Sequence, residues 1–513
     1  MKKIGASGTA ILRGTLALSV SAIIVKIFGV IYKIPLSYIL GDEGMGYFNA
    51  AYSVYALFYV ICTAGVPKAV AVLITEARTN NDTGAEGAIF KIAMRLFLAL
   101  SLSLTVLFIV FSPQLSHAVG GDKALSSMLV IAPSIIFTSL AGVMRGYLTG
   151  KLKLFPIAAS QLIEAGSKLA IGLLFANVAV RLNLALPLIA AFSILGITIG
   201  SLGSALFLLV FCKKSLSREK PRQRYFDRKE LMKKIFKIAV PISLGSSFLS
   251  LSGLIDVSLI TQRLNTLGYS PEEAVSLYGN FSTLALPMVN LVMSVLTPIS
   301  VSALPALAEH YIKGDKNSLE RGLNNTVTLS TLLCAPCAVA YLLYSFEILD
   351  LLFSSQSSVV GAEALSILSV SLYLLCILTV TNTYHEATGR VGVSVKSLII
   401  GCISKGIFGY ILIGVPALGV NGAAIATVIS YIISLCYSSS KIDRREVRLS
   451  KIKACVLPLL LALFAFLIPY VLLYKTGILG YSFISLALIM LISFGSYFSA
   501  VLALGYKKAL AFH

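Results

Sequence analysis

Basic side chains stand inside apolar segments of this sequence. Residues 17–40, ALSVSAIIVKIFGVIYKIPLSYIL, are long and apolar enough to cross a bilayer, yet they include Lys26 and Lys33. A charge at the centre of such a helix costs about 2.5–3.5 kcal/mol on insertion scales. The two lysines are seven residues apart, so they fall on one helix face, and Gly29 on that face allows close approach of a substrate or helix. This stripe predicts a water-filled site for an anion.

Further charged residues lie in or near other apolar segments. Glu164 and Asp256 are candidate coupling or charge-balancing acids. Two simpler interpretations stay open: Glu164 pairs with Lys168 at i and i+4, and Lys68 extends to the membrane surface. A cavity with this charge balance would be positive and would favour phosphate or diphosphate, which lysines bind as point charges. The candidate substrate-binding residues are Lys26, Lys33, Lys68, Lys168 and Lys405.

The composition places the chain in the membrane class. Its 513 residues are 57% hydrophobic and 12% charged, about half the charge fraction of a soluble protein. The formal net charge of +20 follows from basic loops on one side of the membrane, which the positive-inside rule assigns to the cytoplasm, with both termini there. It therefore calls for no nucleic acid. The opposite side carries Lys123, Arg181, Arg263 and Lys475.

Hydropathy divides the chain into about fourteen apolar segments and predicts an all-α polytopic membrane protein. An offset of 233 residues lays GYFNAAYS (46–53) on GNFSTLAL (279–286), which indicates an internal repeat. Six spans in each half make the halves parallel, related by a pseudo-twofold axis along the membrane normal, with two further C-terminal helices. The predicted domains are an N-terminal lobe at 1–212, a basic cytoplasmic linker at 213–234, a C-terminal lobe at 235–440 and appended helices at 441–513.

Motifs for catalysis are missing from the sequence. It contains no G-x-x-x-x-G-K-[ST] phosphate loop, and its four histidines have no metal-site spacing such as H-E-x-x-H. We therefore expect a transporter rather than an enzyme, with no metal and no cofactor. An ion gradient or the membrane potential would supply the energy.

Three stretches carry a resemblance to a known group of membrane proteins. They are VKIFGVIYKIPLSYILGDEGMGYFNAAYSVYALF (25–58), RGYLTGKLKLFPIAASQLIEAGSKL (145–169) and SGLIDVSLI (252–260). The chain resembles the multidrug/oligosaccharidyl-lipid/polysaccharide exporter superfamily along nearly its whole length. Within it, the chain is similar to polysaccharide-biosynthesis flippases of the stage V sporulation protein B type, relatives of the lipid II flippase.

The resemblance implies an alternating-access flippase for undecaprenyl-diphosphate-linked sugars in the bacterial cytoplasmic membrane. Its partners would be the lipid-linked oligosaccharide, membrane lipids and cell-wall synthesis enzymes. Lys26 looks like the family's first-span arginine, Lys33 like the cation one to two turns later, and Asp256 like the acid of span seven. The region that holds an Asp–Arg pair in lipid II flippases reads LYGNFSTLALP here, so Lys405 or Lys68 would supply that charge. The R-G-Y-x-x-G motif marks a conformational loop at Arg145, Gly146, Tyr147 and Gly150.

Two other functions stay open at this point. One is a cation-coupled drug antiporter of the same superfamily, which would need carboxylates in its cavity. The other is a non-transporting scaffold for cell-wall assembly, against which the cost of buried lysines argues.

Overall fold

The structure is a computed structural model that describes residues 2–79, 82–119, 121–216, 228–353, 358–443, 447, 452–475 and 483–504. These residues form helices and short connections, with no β-strand among them. Twelve helical stretches in this described part are long and apolar enough to span a membrane. The prediction of an all-α polytopic membrane protein is therefore confirmed.

The number of spans stays a prediction. One of the twelve stretches, Val20–Arg78, has 59 residues, far more than the roughly 20 that one crossing needs, and it contains two of the segments predicted from hydropathy. One of the fourteen segments predicted from hydropathy is centred roughly on residue 249; it is helical but is not among the twelve.

Two compact units divide the chain. The first contains residues 1–262 and 270–279, and the second contains residues 263–269 and 280–513. The predicted domain boundaries stay predictions, and half of the predicted basic linker, residues 217–227, lies outside the described residues. The first unit contains α1 (Lys2–Thr63), α2 (Val66–Thr79), α3 (Thr83–Val119), α4 (Leu125–Ile131), α5 (Ser134–Gly150), α6 (Phe155–Arg181), α7 (Leu186–Leu216), most of α8 (Arg228–Thr266) and nearly all of α9 (Pro271–Asn280).

The second unit has its own packed core around Leu323, Val327 and Tyr384. Its helices are α10 (Leu286–Ile312), α11 (Lys316–Leu343), α12 (Ser345–Phe353), α13 (Ser358–Ala387), α14 (Val391–Ile413), α15 (Asn421–Ser440), α16 (Leu457–Pro469) and α17 (Phe483–Ala503). Three π-helical turns, Phe281–Ala285, Ile452–Val456 and Tyr470–Lys475, adjoin them.

A glycine breaks α1 into two helical parts. Gly41 has φ +61° and ψ −171°, a backbone conformation that residues with a Cβ rarely adopt. The chain changes direction there and packs its second part, beginning at Asp42, within the same unit. The kink is what lets Lys33 of the first part donate a hydrogen bond to Asn49 Oδ1 of the second, at 3.4 Å.

Helices α6 and α7 approach closely because glycines stand at their contact. A Cβ added to Gly200 of α7 would lie 2.7 Å from the backbone oxygen of Glu164, and one added to Gly196 would lie 2.9 Å from that of Lys168. Small residues of this kind let helix backbones touch within a membrane. The backbone that carries Glu164 and Lys168 is therefore held firmly against α7.

A reciprocal glycine contact joins α1 and α9 within the first unit. A Cβ on Gly46 would lie 2.3 Å from the backbone oxygen of Val275, and one on Gly279 would lie 2.2 Å from that of Asp42. The repeat offset of 233 residues that lays Gly46 on Gly279 also lays Asp42 on Val275. The two contacts are thus copies of each other, as a twofold relation between repeats requires.

Candidate functional site

A cavity of about 360 Å³ opens in the first unit between α1, α5, α6 and α7. Among its described lining residues are three basic side chains, Lys26, Arg145 and Lys168, and one acidic side chain, Glu164. The cavity is therefore net positive when these groups are charged. Low-dielectric walls strengthen such a field, and a positive field favours anions over cations.

Arg145 and Glu164 form an ion pair in the wall of this cavity. Arg145 Nη2 lies 2.7 Å from Glu164 Oε2, and the two side chains keep 16% and 25% of their exposure. The guanidinium also donates from Nη2 to Ser204 Oγ at 2.9 Å and from Nε to Ser160 Oγ at 3.2 Å. Three helices, α5, α6 and α7, thereby fix the position of Arg145.

Lys168 lies against aromatic rings. Its Nζ is 5.2 Å from the ring centre of Tyr32 and 5.1 Å from that of Tyr52, both within the range of a cation–π interaction. Glu164 pairs with Arg145 and Lys168 stacks on tyrosines, so this structure shows a different arrangement from the Glu164–Lys168 pair that the i, i+4 spacing allows. Lys168 therefore lines the cavity beside the Arg145–Glu164 ion pair.

Lys26 faces the cavity from the first part of α1. Its side chain is exposed, and Gly29, one turn further along, also lines the cavity. A Cβ added to Gly29 would meet nothing within 4 Å, so the space beside it is open. The role of Lys26 as a substrate-binding residue stays a prediction.

The other predicted site residues stand apart from this cavity's lining. Lys33 is half-buried and bonds to Asn49, and Lys68 is exposed on α2. Asp256 is buried in α8 of the first unit, and Lys405 is buried in α14 of the second unit. Their assignment to a substrate or coupling site stays a prediction.

The description of residues 145–150 as a loop is wrong, because α5 continues to Gly150 and the connection begins at Lys151. The glycines of the motif serve helix packing instead. A Cβ on Gly146 would lie 2.6 Å from the backbone oxygen of Pro67, and one on Gly150 would lie 2.7 Å from Ile74 Cβ, so both seat α5 on α2. Tyr147 is buried, with its ring 4.8 Å from that of Phe90.

Several residues that line the cavity were not predicted from the sequence. Tyr52, Tyr55 and Tyr59 line the cavity in a row, with neighbouring ring centres 5.9 and 5.7 Å apart, and Gln161 lines it from α6. The signal was present in the spacing: the tyrosines stand at i, i+3 and i+7, and Gln161 stands three residues before Glu164. Arg145 had been assigned only to a loop motif, although it is a cavity cation.

Comparison with known proteins relates the chain to membrane flippases and transporters. Stage V sporulation protein B of Bacillus subtilis (strain 168) is 24% identical over 490 residues, covering 94% of this chain and 90% of that protein. A solved structure of the lipid II flippase MurJ in an inward closed conformation has a TM-score of 0.70 at 17% identity, covering 98% of this chain and 99% of that one.

A third relative shares the fold at superfamily level. An inward-facing multidrug resistance MATE family transporter of the MOP superfamily has a TM-score of 0.66 at 16% identity, covering 83% of this chain and 98% of that one. The fold that the resemblance implies is thus confirmed. The family model for the lipid II flippase MurJ matches residues 36–495. This multi-pass membrane protein therefore belongs to the lipid II flippase MurJ family of transporters.

Proposed function

We propose that this chain moves a polyprenyl-diphosphate-linked sugar across the membrane by alternating access, and that the first-unit cavity binds the diphosphate. The substrate would be an undecaprenyl-linked cell-wall or polysaccharide precursor. The observation that carries the proposal is the convergence of Lys26, Arg145 and Lys168 on one cavity that contains a single described carboxylate.

The chemistry of these groups suits a diphosphate. Phosphate oxygens accept charge-assisted hydrogen bonds from a guanidinium, while an ammonium acts as a compact charge that can follow a moving ligand. No metal ion is needed for this interaction, because the diphosphate carries the negative charge and the basic side chains of the cavity wall carry the positive charge. The cost of placing lysines in a membrane helix is then offset by substrate binding.

A cation antiporter would use this cavity poorly. A drug cation needs a carboxylate as its partner, and the acid of this cavity, Glu164, already contacts Arg145 at 2.7 Å. The excess of basic side chains would also repel a positively charged drug. The charge of the cavity therefore favours a lipid-linked anion.

We further propose that an ion gradient or the membrane potential drives the transport, that both termini lie in the cytoplasm, and that cell-wall synthesis enzymes use the product. Protease accessibility of tags placed at each terminus, in inside-out and right-side-out vesicles, tests the orientation. Cleavage of both tags only in inside-out vesicles is expected.

Charge reversal in the cavity tests the function directly. Lys26→Glu should reduce translocation of a fluorescent polyprenyl-diphosphate sugar in proteoliposomes at least about tenfold. A loss of roughly 1.4 kcal/mol in the binding free energy of the substrate is enough for this effect. Lys91→Glu on α3 is the matched control, since Lys91 is exposed and outside the cavity. Equal flux for wild type and Lys26→Glu would contradict the proposal, as would transport of organic cations in place of the lipid.

A further inference from the structure

The carboxylate of Glu164 occupies the position in which Arg145 would meet an anion. The guanidinium directs Nη2 to Glu164 Oε2 and Ser204 Oγ, and Nε to Ser160 Oγ. A diphosphate that enters the cavity and binds Arg145 has to compete with Glu164 for that nitrogen. The pair keeps part of its exposure to the cavity, so the competition takes place in reach of a ligand.

A second cation stands one helical turn from Glu164 on the same face of α6. Lys168 is at i+4, the spacing at which a glutamate and a following lysine interact favourably. Its ammonium now lies over the rings of Tyr32 and Tyr52, a contact of about 0.5–2 kcal/mol that an ion pair can replace. The side chain of Glu164 thus has two possible cationic partners within its reach.

We propose that Glu164 is an internal counter-ion that passes from Arg145 to Lys168 when a diphosphate binds. This rests on the proposed function of the cavity and assigns Glu164 the role of setting how tightly the anion is held. In the empty cavity Glu164 satisfies Arg145. In the loaded cavity the diphosphate binds Arg145 and Lys26, and Glu164 satisfies Lys168.

The backbone around the pair confines this exchange to side-chain rotation. Gly200 and Gly196 bring α7 against the backbone oxygens of Glu164 and Lys168, so the backbone of α6 is packed directly on α7 at this point. Rotation of one carboxylate is a small and fast change, and it leaves Glu164 with a cationic partner in both states. Return of Glu164 to Arg145 competes with the bound anion, which favours release.

Binding of a soluble lipid diphosphate tests the exchange. Farnesyl diphosphate is titrated against purified full-length wild type, Glu164→Gln and Glu76→Gln, the last being a matched loss of an exposed carboxylate on α2. Glu164→Gln should bind about tenfold more tightly, because Arg145 no longer has an ionic competitor. Glu76→Gln should bind like wild type. In proteoliposomes Glu164→Gln should show a lower KM and a lower maximal flux.

A second variant makes the outcome specific to partner exchange. Lys168→Gln removes the alternative partner of Glu164 and should weaken farnesyl diphosphate binding. The double variant Glu164→Gln/Lys168→Gln should bind as tightly as Glu164→Gln alone, because Lys168 acts only through Glu164. Equal or weaker binding by Glu164→Gln would overturn the inference, as would double-variant affinity equal to the sum of the single effects. Inorganic pyrophosphate in the same titrations separates recognition of the diphosphate from recognition of the lipid.

The two proposals fail in different ways. If wild type binds farnesyl diphosphate and Lys26→Glu abolishes that binding, the cavity function stands, and an unchanged affinity in Glu164→Gln removes only the counter-ion role. If wild type binds neither probe, the cavity function itself is wrong.

Discussion

Two ion pairs near the C-terminal end of α5 differ in their surroundings. Arg145 and Glu164 meet at 2.7 Å in the cavity wall with 16% and 25% of their side chains exposed. Lys151 and Glu86 meet at 2.9 Å with only 5% of each side chain exposed, and the Lys151 ammonium also lies 4.6 Å from the ring centre of Tyr147. The chemistry is similar, but only the first pair faces a space that a ligand can enter.

The difference separates a structural pair from an exchangeable one. Lys151 and Glu86 tie the end of α5 to the start of α3, and packed side chains around them exclude a competing anion. Removing one partner of this pair leaves the other charge buried, with neither an ionic partner nor water around it. At Arg145 and Glu164 the cavity supplies both solvent and, in our proposal, a competing ligand.

Lys151→Met should have the largest effect on stability. It leaves the Glu86 carboxylate buried without its cationic partner, at a cost of about 3–5 kcal/mol in the free energy of unfolding. Thermal unfolding of the purified protein in detergent measures this. The double variant Lys151→Met/Glu86→Leu should restore most of the loss, and a double variant no more stable than Lys151→Met would contradict the assignment.

Arg145→Met should have a smaller effect on stability and a large effect on transport. Because the cavity hydrates the remaining Glu164, the free energy of unfolding should fall by about 1 kcal/mol. Flux of the lipid diphosphate should drop at least as far as in Lys26→Glu. A stability loss equal to that of Lys151→Met would erase the distinction between the two pairs.

Tyr52→Leu should have the smallest effect of the three. It removes one of the two rings under Lys168 and should cost about 0.5–1 kcal/mol in stability, the size of a partly exposed cation–π contact. Tyr52→Phe keeps the ring and should unfold at the wild-type temperature. A loss in Tyr52→Phe equal to that in Tyr52→Leu would point to the hydroxyl instead of the ring.

The fold class could be predicted from the sequence because the hydropathy of a short stretch of residues is enough to indicate a membrane helix. Apolar stretches of about 20 residues report a membrane helix without reference to the rest of the chain. The kink at Gly41 was harder to foresee, since a glycine in an apolar run is as compatible with a straight helix as with a break. The extent of α5 was not predicted either: the R-G-Y-x-x-G motif was assigned to a loop, but α5 continues through it and Gly146 and Gly150 contact α2.

The site was predicted only in part. Lys26 and Lys168 could be identified because a charge in an apolar helix is conspicuous, and both line the cavity. The Arg145–Glu164 pair could not, because its partners come from different helices and sequence spacing says nothing about which faces meet. Helical spacing offered Lys168 as the partner of Glu164, and tertiary structure supplied a stronger one.

The reciprocal contact of Gly46 and Gly279 has an evolutionary consequence. In an isologous dimer the same two positions meet twice, once with each copy supplying either position. The contacts Gly46–Val275 and Gly279–Asp42 have this pattern when the two repeats are treated as copies. A half-length ancestor carrying this segment could have made the same contact with a second copy of itself. Fusion of two such copies would make the association independent of concentration and would leave each copy able to acquire its own charges.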